Sequence, residues 1–143
     1  MTTRWVAGIL LAVSLGVGLV LTLAPVVPPE GLIVVPNLVP LRTIAIYLSR
    51  LDSPFWVSQL IGNLLLLLPV GLLGPIAFPA MNGWLRVIGV TLLLSAAIEV
   101  AQLWIPNRMA DVDDVLLNVA GAMLGYAILS LARLGSGSRQ AVA

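Results

Sequence analysis

The sequence predicts an all-α polytopic membrane protein, a four-transmembrane-helix bundle with a short interfacial helix in its first outer loop. Three observations carry that expectation. Of 143 residues, 60 % are apolar and 9 % are charged, whereas a water-soluble surface takes roughly a quarter charged residues. Mean hydropathy is +1.11, and the seven arginines and six acids, with no lysine, lie mostly between long apolar runs. Four of those runs reach the roughly 20 residues that cross a hydrocarbon core of about 30 Å.

The first run, Trp5 to Ala24, contains no charge. Arg4 ahead of it and the small Ala24 at its end imitate a secretory signal. The run is longer than the roughly 7 to 15 apolar residues of such a signal, however, and Pro25 directly follows the only plausible cleavage point. It reads as an uncleaved anchor. Residues 25–54 are too polar and too proline-rich to span. In their second half Leu41, Ile44, Leu48 and Leu51 recur at three- and four-residue steps with Arg42 and Arg50 off the stripe, which predicts the interfacial helix.

The second span runs from Phe55 to Phe78 behind Pro54. Pro69 inside it removes a bond to the Leu65 carbonyl and predicts a kink, which neighbouring helices can cover. The third, Leu85 to Ile105, is closed by Pro106, and the fourth covers Val112 to Arg133. Residues 1–134 therefore form the membrane domain. The Gly- and Ser-rich residues 135–143 read as a disordered cytoplasmic tail. A cytoplasmic N-terminus puts Arg4, Arg86, Arg133 and Arg139 on short inside segments and Arg42, Arg50 and Arg108 outside, so both termini are expected in the cytoplasm.

Composition also excludes function classes. A net charge of +1 supplies no basic stripe for a nucleic acid. Without Cys or His, thiol and imidazole chemistry, haem attachment and the usual zinc sets are ruled out. No cofactor is expected, and chemistry falls to carboxylates, amides, hydroxyls and arginine.

The informative residues are those that lipid disfavours. An ionisable group near the centre of a span costs about 2.5 to 3.5 kcal/mol. At about 1.5 Å per residue, Glu99 lies about 9 Å, Asn63 about 12 Å and Asn118 about 9 Å below the outer surface, a shared depth on three spans. Ser95, Glu99 and Gln102 share one face, as do Gln59 and Asn63, and as do Asp114, Asn118, Gly121 and Gly125. These faces should meet inside the bundle, with Gly121-x-x-x-Gly125 allowing close backbone approach. Asn63 and Asn118 read equally well as packing hydrogen bonds or as site residues. Glu99 points to function, since neutral amides join helices at lower cost.

In the turn Asn107 to Asp114, Asp111 is a good N-cap, and Asp113 and Asp114 in the first turn complement the helix dipole. Capping accounts for Asp111. Arg108, three carboxylates and a buried Glu at the mouth of a polar cleft also resemble a site for a charged or polyhydroxyl headgroup. Asp113, Asp114 and Glu99 match no recognised cation loop, so no metal is expected.

These residues carry a family resemblance. Asn63-Leu-Leu-Leu-Leu-Leu-Pro-Val-Gly71, then Glu99-Val-Ala-Gln-Leu-Trp-Ile-Pro106, then Arg108-x-x-Asp111-x-Asp-Asp-x-x-x-Asn118-x-x-Gly121-x-x-x-Gly-Tyr126 resemble the VanZ-like family of bacterial membrane proteins. Asn37-Leu-Val-Pro-Leu41 is similar to that family's Asn-Leu-x-Pro-Phe. The likeness covers residues 37–126. Leu67 and Leu41 stand where the family commonly has Phe, which touches the shape of a pocket and not the fold. The resemblance implies a cell-envelope protein of the cytoplasmic (inner) membrane, akin to proteins linked to low-level antibiotic resistance, namely to teicoplanin, a lipoglycopeptide.

The residues thus predict an outer-leaflet cleft lined by Asn63, Glu99, Gln102, Arg108, Asp111, Asp113, Asp114 and Asn118. Its partner is expected to be a membrane lipid or a lipid-linked envelope ligand, held by Arg108 and the amides. An alternative is an intramembrane enzyme with Glu99 as general acid or base and Asp113 or Asp114 as its partner. A structural role within a membrane complex is the third reading. A transporter is disfavoured, because no polar residues continue the cleft through the inner half.

Overall fold

With no water in a bilayer to bond exposed amides, an apolar run must close its hydrogen bonds along itself. All four long runs are helical in the computed structural model, which describes residues 2–24, 30 and 35–140. The helices are α1 (Thr2–Leu23), α2 (Arg42–Ser49), α3 (Pro54–Leu66), α4 (Leu68–Ala77), α5 (Trp84–Gln102) and α6 (Val112–Gln140). Among the described residues there is no β-strand. Pro25, which directly follows the first run, and the last three residues of the tail lie outside the described residues.

α3 and α4 together make the second span, Pro54–Ala77. The break between them falls at Leu67, with φ −107° and ψ 8°, two residues before the proline that predicts a kink. Pro69 sits in the first turn of α4, where its missing N–H deprives the helix of nothing. The Val70 amide takes a short bond to the Leu67 carbonyl instead, 3.0 Å.

α6 is the centre of the bundle, packed against α3, α4 and α5. Its glycines permit this. A β-carbon at Gly121 would collide with the Leu64 carbonyl, and one at Gly125 would lie 2.9 Å from the Leu72 amide nitrogen. Gly71 returns the fit, since a β-carbon there would collide with the Ala122 carbonyl and sit 2.9 Å from the Tyr126 nitrogen. One apolar cluster, Val87, Ala122, Tyr126 and Leu129, fills the half of the bundle near Asn82. There the Asn82 Oδ1 accepts the Tyr126 hydroxyl at 3.2 Å and an Arg133 N–H at 2.9 Å. α1 is peripheral: 11 % of its span is buried, against 39 % for α6.

Two boundaries and one helix face differ from expectation. α5 stops at Gln102 rather than Ile105, because a turn begins before Pro106 is reached. α6 runs on to Gln140 through the Gly135 at which a linker was expected, since extending a formed helix needs no new nucleation. On α2 the side turned to the bundle carries Tyr47, 5 % exposed, while Leu41, Leu48 and Leu51 of the apolar stripe are exposed. A helix in an interface keeps its apolar stripe free for lipid.

Candidate functional site at the Arg108 end of the bundle

The end of the bundle that holds α2 and the α5–α6 turn gathers most of the candidate polar residues. A pair of backbone bonds comes first. The Asn37 amide donates to the Ala110 carbonyl and the Val112 amide to the Asn37 carbonyl, both at 3.0 Å, so the strand-like segment before α2 is pinned to the start of α6. The Asn37 side-chain amide donates to Asp111 Oδ1 at 2.9 Å and to Thr43 Oγ1 at 3.0 Å. The Thr43 hydroxyl in turn donates to Asp111 Oδ2 at 2.6 Å. Asp111 Oδ1 also accepts the Asp113 amide at 2.8 Å. That is the N-cap geometry the sequence predicts for Asp111.

Asp113 has a role the sequence does not suggest. It is fully buried, and its carboxylate accepts the backbone N–H groups of Leu41 (2.5 Å), Thr43 (2.6 Å) and Ile44 (3.1 Å). A helix start leaves such amides unpaired and carries positive dipole charge, so Asp113 on α6 caps α2 from across the chain. Leu41 is drawn into the left-handed region, φ 67°, a conformation costing about 1–3 kcal/mol for such a residue and stabilised by the bond to Asp113. Read as a proton-transfer partner for Glu99, Asp113 is miscast: both of its oxygens are occupied by amides.

Glu99 lies in the last turn of α5, 7 % exposed, and its Oε2 accepts the Asp111 amide at 2.8 Å. Because α5 ends at Gln102, Glu99 is about 4.5 Å from the helix end rather than the 9 Å counted from the sequence. Asn118 donates to Ser95 Oγ at 2.8 Å, joining α6 to α5. Gln102 donates to the Thr22 carbonyl at 3.3 Å, which ties the ends of α1 and α5 together.

Single atoms in this region are left without a hydrogen-bond partner. Asp114 Oδ1, Arg108 Nε, Asn63 Nδ2 and Asn118 Oδ1 are buried without a hydrogen-bond partner. Sequence reasoning missed Tyr47, whose aromatic type and position in a surface helix gave no sign that it would be buried here. Burial drives its phenol far above the ordinary range, the charges of Asp114 and Asp111 add to this, and Arg108 opposes them. The hydroxyl is therefore a neutral donor. Burial lowers the Arg108 guanidinium from its usual value, and Asp114, Tyr47 and Glu99 hold it up; arginine stays charged through the physiological range. Arg108 is thus a half-buried cation with acids beside it.

Arg108 and Asn63 also line a cavity of about 630 Å³ between α1 and α3, walled by Val13, Val17, Leu21, Leu65 and Leu66. Among the described residues no group of three or more acids is placed to hold a metal ion. The family described as VanZ/LLP1 matches residues 5–133. No curated protein and no solved structure matches the chain.

Proposed function

The chain belongs to the VanZ/LLP1 family, and on that premise we propose that it binds the headgroup of an amphiphile at the Arg108 end of its bundle, as an envelope protein of the bacterial cytoplasmic membrane. The observation that carries this reading is the set of buried, unpaired atoms on Arg108, Asn63 and Asp114. Each such group left without a partner costs about 1–3 kcal/mol. The adjoining Asp111 and Asp113 are fully bonded, so this fold is able to satisfy polar groups here. A headgroup bringing acceptors to Arg108 and Asn63 and a donor to Asp114 supplies what is missing.

Binding is favoured over catalysis. Glu99 Oε2 is tied to a backbone amide, Asp113 caps α2, and Ser95 Oγ accepts the Asn118 amide, so these three candidates for catalysis are already engaged in holding the fold. With both termini cytoplasmic, the site faces outward, where envelope lipids and lipid-bearing glycopeptides are met. Tolerance of teicoplanin would follow from sequestering one of these. The test is native mass spectrometry of the detergent-extracted protein. Wild type should carry a bound amphiphile that Arg108→Gln loses; full occupancy in the variant removes the proposal.

A further inference from the structure

The cavity between α1 and α3 extends the same site sideways. α1 packs on α4, which leaves a groove open to the bilayer between α1 and α3. Its walls are apolar along Val13, Val17 and Leu21 on one side and Leu65 and Leu66 on the other. From Val13 to Thr22 it follows α1 for about 13 Å, close to half of a hydrocarbon core of about 30 Å. The groove therefore spans one leaflet, and its polar end is the Arg108 end. Arg108 and Asn63 line that end, and both side chains carry N–H donors. Two donors, one of them cationic, at the end of an apolar trough are complementary to a phosphate at the end of an acyl chain.

Asp114 acts on Arg108 electrostatically and keeps its Oδ1 unpaired, but it does not line the groove. We infer that the groove seats one acyl chain of a membrane phospholipid from the leaflet at that end, its phosphodiester bonded to Arg108 and Asn63. The inference rests on the reading of the Arg108 end as a headgroup site, and adds the ligand class and its lateral path from the bilayer.

Two glycines make a matched test. A β-carbon on Gly62 or on Gly16 meets nothing within 4 Å, so both accept a side chain without disturbing backbone packing. Gly62 lines the groove and Gly16 does not. Lipid-stripped full-length protein is titrated by native mass spectrometry with phosphatidylglycerol, with diacylglycerol of the same chains and with inorganic phosphate. Phosphatidylglycerol should bind at least tenfold more tightly than either of the others. Gly62→Phe should weaken it at least tenfold and Gly62→Leu at least threefold, with Gly16→Phe like wild type. Equal binding of diacylglycerol and phosphatidylglycerol overturns the inference, as does unaltered binding in both Gly62 variants. Loss of binding in Arg108→Gln alone, with the Gly62 variants unaffected, removes the groove and leaves the headgroup site. Retention in Arg108→Gln as well removes both.

Discussion

Two halves of one polar cluster behave differently. In the half built from Asn37, Thr43, Asp111 and Asp113, each carboxylate oxygen accepts at least one bond, and the result joins α2 to α6. In the half built from Asn63, Arg108 and Asp114, each residue keeps a buried atom without a partner. Asp113 and Asp114 are sequence neighbours of the same residue type, yet one is scaffold and the other is left open. What separates them is whether the fold brings backbone amides to the carboxylate.

The sharpest way to break this division is Asp113→Asn. The amide retains one acceptor oxygen and turns an NH₂ toward backbone donors, so charge-assisted bonds are lost and one amide is opposed by another donor. We expect a loss of about 2–4 kcal/mol, read as a lower melting temperature in detergent and faster hydrogen exchange at Thr43 and Ile44. A stability equal to wild type would move Asp113 out of the scaffold. Asp111→Asn should lose about 1 kcal/mol, because Asn caps a helix nearly as well as Asp and the Thr43 hydroxyl can reverse its bond. In the open half the sign changes. Asn63→Leu removes a buried donor without a partner and should leave stability unchanged or raise it by up to about 1 kcal/mol, while bound amphiphile is lost.

The smallest effect concerns orientation. A cysteine replacing Gly137 should leave stability near wild type, and one replacing Asn107, whose φ is 61°, should cost about 1 kcal/mol. In intact cells an impermeant maleimide should label position 107 and spare position 137, as the arginine distribution requires. Labelling at 137 alone would invert the protein in the membrane.

The spans were legible because their signal is local: an uncharged run of membrane length has one way to satisfy its backbone. Asp111 as a cap was legible for the same reason, its partner being the amide two residues on. Gly121 and Gly125 were legible through their spacing, whereas their counterpart Gly71 on the second span has no such pattern and emerges only from the packing. Asp113 could not be read, since its partners are backbone amides about 70 residues away in sequence and amides have no letter of their own. The depth of Glu99 was overcounted because Pro106 marks the end of a turn and not of the helix. The polar cluster was legible as a set of residue types, and which members remain unpaired was not.

The central claim is that the unpaired half binds and the paired half holds the fold. Thermal melting of wild type, Asp113→Asn and Asn63→Leu, each with and without saturating phosphatidylglycerol, tests it in one experiment, because a ligand at about 100 times its Kd stabilises by about 2.7 kcal/mol. Asp113→Asn should melt lower than wild type and keep the lipid-induced rise. Asn63→Leu should melt at or above wild type and lose it. A rise lost in Asp113→Asn and kept in Asn63→Leu would contradict the assignment.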